Sequence, residues 1–352
     1  MEKLRLDNTI IDENSFPYII AEIGVNHEGS LEKAKKLIDL AKKGGANAAK
    51  FQAYKADSLA SVHSPAYWDK SVEPIQSQYA LYKTNDSFGQ KEFSSLNVHC
   101  KKKGIDFLCT PFDITAVDYL DPLVPYFKVA SSDITNIPLL RKISSKGKPI
   151  VLSTGASTLV EIDLAISEMK KHGAKDICLL HCIINYPTEY KNANLNMIQG
   201  LVRTFPEYVI GYSDHTIPDP EMIVLTTAYL KGAMVIEKHF TDDKTLHGND
   251  HFHAMDVNDL KKFVSNVSFI KKLNGSNYKK PLLSEEKSRL NARRSIVLVK
   301  SIKAGHKLIE NDLISKRPAY GISPICWDEV IGMKAKHNLD KNHVLQWPDL
   351  IK

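Results

Sequence analysis

The sequence predicts an α/β fold, a (β/α)8 (TIM) barrel followed by a small β-rich domain, on three observations. Eight short apolar runs alternate with segments of helical period. Nearly every run ends on a polar or charged side chain, where the βα loops of such a barrel converge on one point. After residue 275 the alternation stops, and short β-type runs with Gly and Pro take over. The expected division is a barrel over 1–275 with an insertion at 61–90, a linker over 276–291 and a small domain over 292–352.

The runs are "YIIAEIG" (18–24), "AAKFQ" (48–52), "DFLCTP" (106–111), "YFKVASSD" (126–133), "PIVLSTG" (149–155), "ICLLHC" (177–182), "YVIGYSDH" (208–215) and "AMVIEKHF" (233–240). Between the first two, "LEKAKKLIDLAKKGG" puts Leu31, Ala34, Leu37, Ile38 and Ala41 on one helix face and stops at Gly44–Gly45. Residues 157–173 repeat this, with Ser157 as N-cap and Glu161 in the first turns. An open doubly wound sheet is the alternative, but no GxGxxG follows the first run. Residues 61–90 are polar and aromatic and read as an insertion over one mouth of the barrel. No internal repeat is evident. The small domain, of roughly 60 residues, is marginal on its own.

A chain of 352 residues, 43% hydrophobic and 25% charged, has the composition of a soluble globular protein. Its net charge of +6 is too mild for a nucleic-acid binder without a basic stripe. After residue 260 there are about 19 Lys+Arg against about 8 Asp+Glu, so the preceding part is slightly acidic. Five cysteines without a CxxC pair argue against a disulfide framework and for a reducing compartment. "MEKLRLDNTI" has no apolar run of signal-peptide type, and no stretch reaches the roughly 20 apolar residues of a membrane span. The expectation is a cytoplasmic protein that binds neither membrane nor nucleic acid.

The strand tips carry Glu22, Lys50 and Gln52, Thr110, Lys128 with Ser131 and Asp133, Ser153–Thr154–Gly155, His181, Asp214–His215, and Glu237–Lys238–His239. Eight tips in succession with Lys, Ser, His and acids point to chemistry at that end. His215 and His239 on consecutive strands would set two imidazoles side by side, donors that suit a catalytic metal with open positions. His247, His251 and His253 in "LHGNDHFH" form a competing cluster. Lys50, Lys128, Ser131 and Ser153 offer two cations and two hydroxyls as a phosphate cradle, although either lysine could instead form a salt bridge inside the barrel. Asp133 could act there as acid or base, and Asn136 reads as a loop cap.

These motifs resemble the sialic acid (N-acetylneuraminate) synthase family, enzymes that condense phosphoenolpyruvate with an N-acetylated sugar aldehyde to nine-carbon 2-keto acids. The resemblance rests on "AEIGVNHEGS", "KFQAYKA", "CTPFD", "KVASSDITNIPLL", "KPIVLSTGAS", "LLHCIINYPT", "GYSDHT", "EKHFT" and "GNDH". "SIVLVKSIKAG" and "DLISKRP" look like the family's C-terminal antifreeze-like (SAF) domain. It implies a divalent metal, Mn2+ or Mg2+, on His215 and His239, and phosphoenolpyruvate on Lys50, Lys128, Ser131 and Ser153. Glu22 and Asp250 would hold sugar hydroxyls beside Tyr186, with Glu22, Asp133, His215 and His239 carrying the catalysis. Arg317 would reach the sugar's acyl-amino group from the partner subunit, which implies a domain-swapped homodimer.

The implied activity is that of a carbohydrate-biosynthetic transferase acting on an aldehyde such as N-acetylmannosamine and releasing phosphate by C–O cleavage. The nearest alternative is a legionaminic or pseudaminic acid synthase using a 2,4-diacetamido hexose. A metal-dependent barrel hydrolase or aldolase is more remote, since neither needs two phosphate-facing lysines. A non-enzymatic carbohydrate-binding protein would not need Glu22, His215 and His239 in one mouth. Three departures stand out. The family often has Glu where this chain has the shorter Asp133, Ile183–Ile184 follows "HC", and "HGNDHFHAMD" is rich in histidine.

Overall fold

Tyr18–Gly24 is buried at every position, as a strand must be when helices cover one face and a barrel interior the other. We label this strand β3, because a short antiparallel hairpin precedes it, β1 (Leu4–Leu6) and β2 (Thr9–Ile11). The computed structural model describes residues 3–68, 70, 74–248 and 250–352. It divides into two units, Met1–Leu273 and Asn274–Lys352.

In the first unit, β3 is followed by β4 (Ala48–Ala53), β5 (Asp106–Pro111), β6 (Phe127–Val129), β7 (Ile150–Ser153), β8 (Ile177–Cys182), β9 (Val209–Asp214) and β10 (Val235–His239). Among the described residues these eight form one parallel sheet in the order β5-β4-β3-β10-β9-β8-β7-β6. Pairing of β3 with β10 joins the first strand to the last and makes a nearly closed TIM-like barrel, not an open doubly wound sheet. Alternation then sorts the side chains. Ile19, Ala21, Ile23, Phe51 and Ile236 face the helices, while Ile20, Ala48, Leu108, Leu180 and Val235 fill the barrel's lower half. Leu4, Leu6 and Ile11 of the hairpin join that inner cluster and plug the bottom.

Several local expectations change. The run 126–133 is a strand only over Phe127–Val129 and turns into a 3-10 helix at Ser131–Asp133. In the helix Leu159–Lys171 the N-cap is Thr158, in a capping box with Glu161, while the Ser157 hydroxyl donates to the Gly155 carbonyl. Asn136 caps the helix Ile137–Ser144, and Gly45 (φ 104°) closes Leu31–Gly44 in the left-handed conformation that suits glycine. Within the 61–90 segment, Gln78–Asn85 is helical and Tyr82 meets Tyr54, just past β4, with ring centroids 5.4 Å apart. Residues 69 and 71–73 of that segment and Asn249 of the "GNDH" motif lie outside the described residues.

The second unit has a core of Ile296, Leu298, Leu308, Val330, Ala335 and Leu345. It pairs β11 (Ser295–Leu298) with β12 (Leu313–Lys316) and β13 (Lys334–Ala335) with β14 (Leu350–Ile351). It also contains a repeat that the sequence reading did not find. His306 Nε2 lies 2.7 Å from Asp312 Oδ2, and His343 Nε2 lies 2.7 Å from Asp349 Oδ2. Each aspartate ends a 3-10 turn that leads into a strand, and each histidine follows a residue of positive φ, Gly305 (81°) or Asn342 (67°). Both copies read His-x-Leu-x-x-x-Asp-Leu-Ile, over 306–314 and 343–351, so the relationship is also present in the sequence as five identical letters in nine.

Candidate active site and metal centre

Above the apolar plug, the same inward alternation brings up Glu22, Lys50, Thr110, Lys128, Ser153, Ser213 and Glu237 on seven different strands. A β-bulge between Glu22 and Gly24 ends β3 there. A side chain at Gly24, which sits at φ 54°, would press to 3.2 Å of both Glu22 Oε1 and Gln52 Nε2. Glycine therefore leaves the carboxylate its room.

The floor is a charge network. Lys50 Nζ lies 2.8 Å from Glu22 Oε2 and 3.6 Å from Glu237 Oε2, and donates to Thr110 at 3.2 Å. Gln52 donates to Glu22 Oε1 at 2.7 Å. Lys128 Nζ donates to Ser153 Oγ at 2.7 Å and lies 3.7 Å from Glu237 Oε1, which also accepts from Ser213 at 2.9 Å. Burial raises Glu22 above the usual carboxylate range, against the pull of Lys50. Burial would raise Glu237 too, but Lys128 and Lys50 outweigh it and hold it low. Burial lowers Lys128, whereas Glu22 and Glu237 overcome burial at Lys50 and raise it. Both lysines do form the salt bridges that the sequence reading weighed, yet Glu237 Oε2 makes no hydrogen bond. Glu237 was named at a strand tip but given no role, although period-two alternation puts it on the same face as His239.

Ser131 accepts from the Gly155 amide at 2.9 Å, and a side chain at Gly155 would meet Ser131 Oγ at 2.9 Å. Asp133 lies on the same turn, buried, with Oδ1 accepting from Asn136 at 3.0 Å and Oδ2 without a partner. Burial raises its pKa. Three of the tip residues, His181, Asp214 and Lys238, face away from the barrel interior. His181 bonds the Ala193 carbonyl and stacks on Tyr212, and Lys238 pairs with Asp214.

On the rim the histidines gather. His215 and His239 have ring centroids 5.4 Å apart, and His253 lies 4.8 Å from His239 and 6.2 Å from His215. Tyr186 packs 4.2 Å from His215. His239, Asp250 and His253 each offer a donor atom within 4.8 Å of the others. This residue set fits a divalent metal. Burial holds all three imidazoles below their ordinary pKa, hence neutral and able to ligate, and His239 Nδ1 and both His253 nitrogens are buried without a hydrogen bond. His215 Nδ1 lies 2.7 Å from the Ile183 carbonyl, which fixes its tautomer and leaves Nε2 as the donor. Burial pushes Asp250 up to about 6. Of the competing histidine cluster, His253 joins this group, His251 is buried against Thr241 and Glu28, and His247 is exposed. Arg317 lies in the second unit, just past β12.

Comparison with known proteins follows the same lines. The NeuB family matches residues 37–279, and the SAF domain matches 293–351. The chain is 39% identical over 333 residues to the N,N'-diacetyllegionaminic acid synthase of Campylobacter jejuni, covering 93% of this chain and 98% of that protein. It is 32% identical to the N-acetylneuraminate-9-phosphate synthase of Drosophila melanogaster, covering 85% of this chain and 86% of that one. The crystal structure of an N-acetylneuraminic acid synthetase from Leptospira borgpetersenii superposes with a TM-score of 0.72 at 36% identity, over 82% of this chain and 95% of that one.

Proposed function

This chain belongs to the NeuB family of condensing synthases, and from that premise we propose that it joins phosphoenolpyruvate to an N-acetylated sugar aldehyde, making a nonulosonic acid and releasing phosphate. The observation that carries the reading is the pairing of two buried lysines under a rim of three neutral histidines within one barrel mouth.

Lys50, Lys128, Ser131 and Ser153 bind the phosphate and carboxylate of phosphoenolpyruvate by charge-assisted hydrogen bonds. Glu22 and Asp250 orient the sugar hydroxyls, with Tyr186 against the sugar face. A divalent cation, Mn2+ or Mg2+, held by His215 and His239 with Asp250 and His253 beside them, would supply Lewis-acid polarisation of an aldehyde, worth several kcal/mol. C3 of phosphoenolpyruvate attacks the aldehyde carbon, the carbonyl π pair passes to its oxygen, which takes up a proton from solvent to become a hydroxyl, and water adds to C2. Asp133, raised by burial beside the cradle, takes the water's proton. The tetrahedral C2 then loses phosphate with the bridging oxygen. Holding both substrates in one mouth removes a bimolecular cost of up to roughly 7–11 kcal/mol.

The protein acts in the cytoplasm as a domain-swapped homodimer, with Arg317 of one copy serving the barrel of the other. The basic stretch after residue 260 and the slightly acidic part before it support that pairing. N-acetylmannosamine is the first aldehyde to test. A 2,4-diacetamido hexose is the second, favoured by the likeness to the Campylobacter synthase. Phosphoenolpyruvate labelled with 18O in its C–O–P bridge tests the bond that breaks. Labelled inorganic phosphate is the expected product, and unlabelled phosphate would overturn C–O cleavage.

A further inference from the structure

Where β9 and β10 run out of backbone ladder, a side-chain pair takes over. Lys238 and Asp214 are the last residues in register between the two strands. The histidines that follow them, His215 and His239, stand beyond that rung, and nothing in the β9–β10 ladder fixes their separation. Lys238 and Asp214 face away from the barrel interior and are all but inaccessible, with side chains 0% and 1% exposed. Lys238 Nζ donates to Asp214 Oδ2 at 2.6 Å and to the Thr216 carbonyl at 2.6 Å. Asp214 Oδ1 accepts from Tyr212 Oη at 2.9 Å and from the Thr216 amide at 2.9 Å, and Oδ2 accepts from Thr216 Oγ1 at 3.0 Å.

Every bond in this network involves Asp214 or Thr216, the two residues that flank His215. The Thr216 contacts hold the backbone on its far side, and the Asp214 contacts hold the near side. The ion pair ties both to the residue before His239. A buried ion pair adds little net stability over an apolar pair of the same shape, but separating its members is expensive, so it constrains geometry more than it stabilises. We infer that Asp214 and Lys238 are positioning residues that clamp β9 to β10 and set the spacing of His215 and His239 for metal binding. This rests on the reading that those two histidines hold a divalent cation.

The test uses the full chain, stripped of metal and titrated with Mn2+, with free ion followed by electron paramagnetic resonance. The double variant Asp214→Asn/Lys238→Met removes both charges together and so leaves no buried charge unpaired. It is expected to melt cooperatively and to bind Mn2+ about tenfold more weakly, the loss typical of groups that orient ligands from behind. At saturating Mn2+ its KM for phosphoenolpyruvate stays at the wild-type value, because the lysine cradle lies on other strands. Mn2+ affinity within about twofold of wild type, with only the melting temperature lowered, overturns the proposal and leaves the pair a stabilising contact. If the double variant does not fold, Thr216→Val decides. It removes one hydroxyl from the network without stranding a charge, and an Mn2+ affinity equal to wild type counts against the clamp. Failure of the underlying reading looks different: wild-type protein takes up no Mn2+, or His239→Ala takes it up unchanged.

Discussion

The imidazoles of His239 and His253 lie with ring centroids 4.8 Å apart, one at the tip of β10 and the other on the 3-10 turn His251–His253 beyond it. Both are buried, both are kept neutral by burial, and Asp250 lies between them in sequence with a carboxylate oxygen 3.3 Å from His239 Nδ1. The sequence paired His239 with His215 and set His253 in a separate, competing cluster; the structure brings the three imidazoles together.

His253→Ala is therefore expected to weaken Mn2+ binding about tenfold, whereas His247→Ala leaves it unchanged, because His247 is exposed and outside the cluster. Calorimetric titration of the metal-stripped protein checks both. Equal affinities in the two variants would remove His253 from the site.

Glu237 faces both lysines of the cradle at once, while Glu22 pairs more closely with Lys50. Glu237→Gln leaves two buried ammonium groups with one carboxylate between them, and the metal-free, substrate-free protein should lose about 3 kcal/mol of stability. Added inorganic phosphate, by supplying the missing negative charge, should raise the variant's melting temperature by more than it raises that of wild type. An equal rise in both would show that the anion does not sit beside Lys50 and Lys128.

The small unit carries its own pH dependence. Burial would raise Asp312, but Lys300 and His306 outweigh it and hold its carboxyl at about 2, below the ordinary 3.8. Between those values the unfolded chain binds the proton more readily, so the stabilisation is complete above about pH 4 and is lost as pH falls through about 2. It amounts to roughly 2 kcal/mol. Denaturant unfolding followed by the second unit's Trp fluorescence should show Asp312→Asn less stable than wild type by about that amount at pH 6, with the gap closing below pH 3. A gap that does not change with pH would contradict the assignment.

Arg317→Ala should raise the KM for the sugar aldehyde at least tenfold and leave the KM for phosphoenolpyruvate within about twofold. Mixing that variant with His239→Ala should restore part of the activity, because a hybrid dimer would contain one intact barrel served by one intact Arg317. If no mixture regains activity, the swapped arrangement fails.

Much of this was legible in the sequence, because two periodicities carry it. The eight apolar runs and the helices between them gave the barrel, and the motifs gave the family to which the chain belongs. Within the site, period two also held what the reading did not use. It sorts Glu237 and His239 inward and Lys238 outward, and it turns His181 away from the mouth. His253 was named only in a competing cluster, because it stands on a 3-10 turn beyond β10 where no strand periodicity ties it to His239. The hairpin Leu4–Ile11 was missed because its two strands are three residues each, too short for a pattern to register. The paired His–Asp turns of the small unit do share letters, His-x-Leu-x-x-x-Asp-Leu-Ile, but five matches in nine residues are too short a pattern to stand out along the chain.

The most direct measurement is phosphate release from phosphoenolpyruvate by the metal-stripped full-length protein, with and without Mn2+. N-acetylmannosamine and two 2,4-diacetamido hexoses are offered separately. The account predicts release only when Mn2+ and an accepted aldehyde are both present, and the aldehyde that works identifies the branch of the family. Release without any aldehyde, release at the same rate without metal, or no release with any of the three sugars would contradict it.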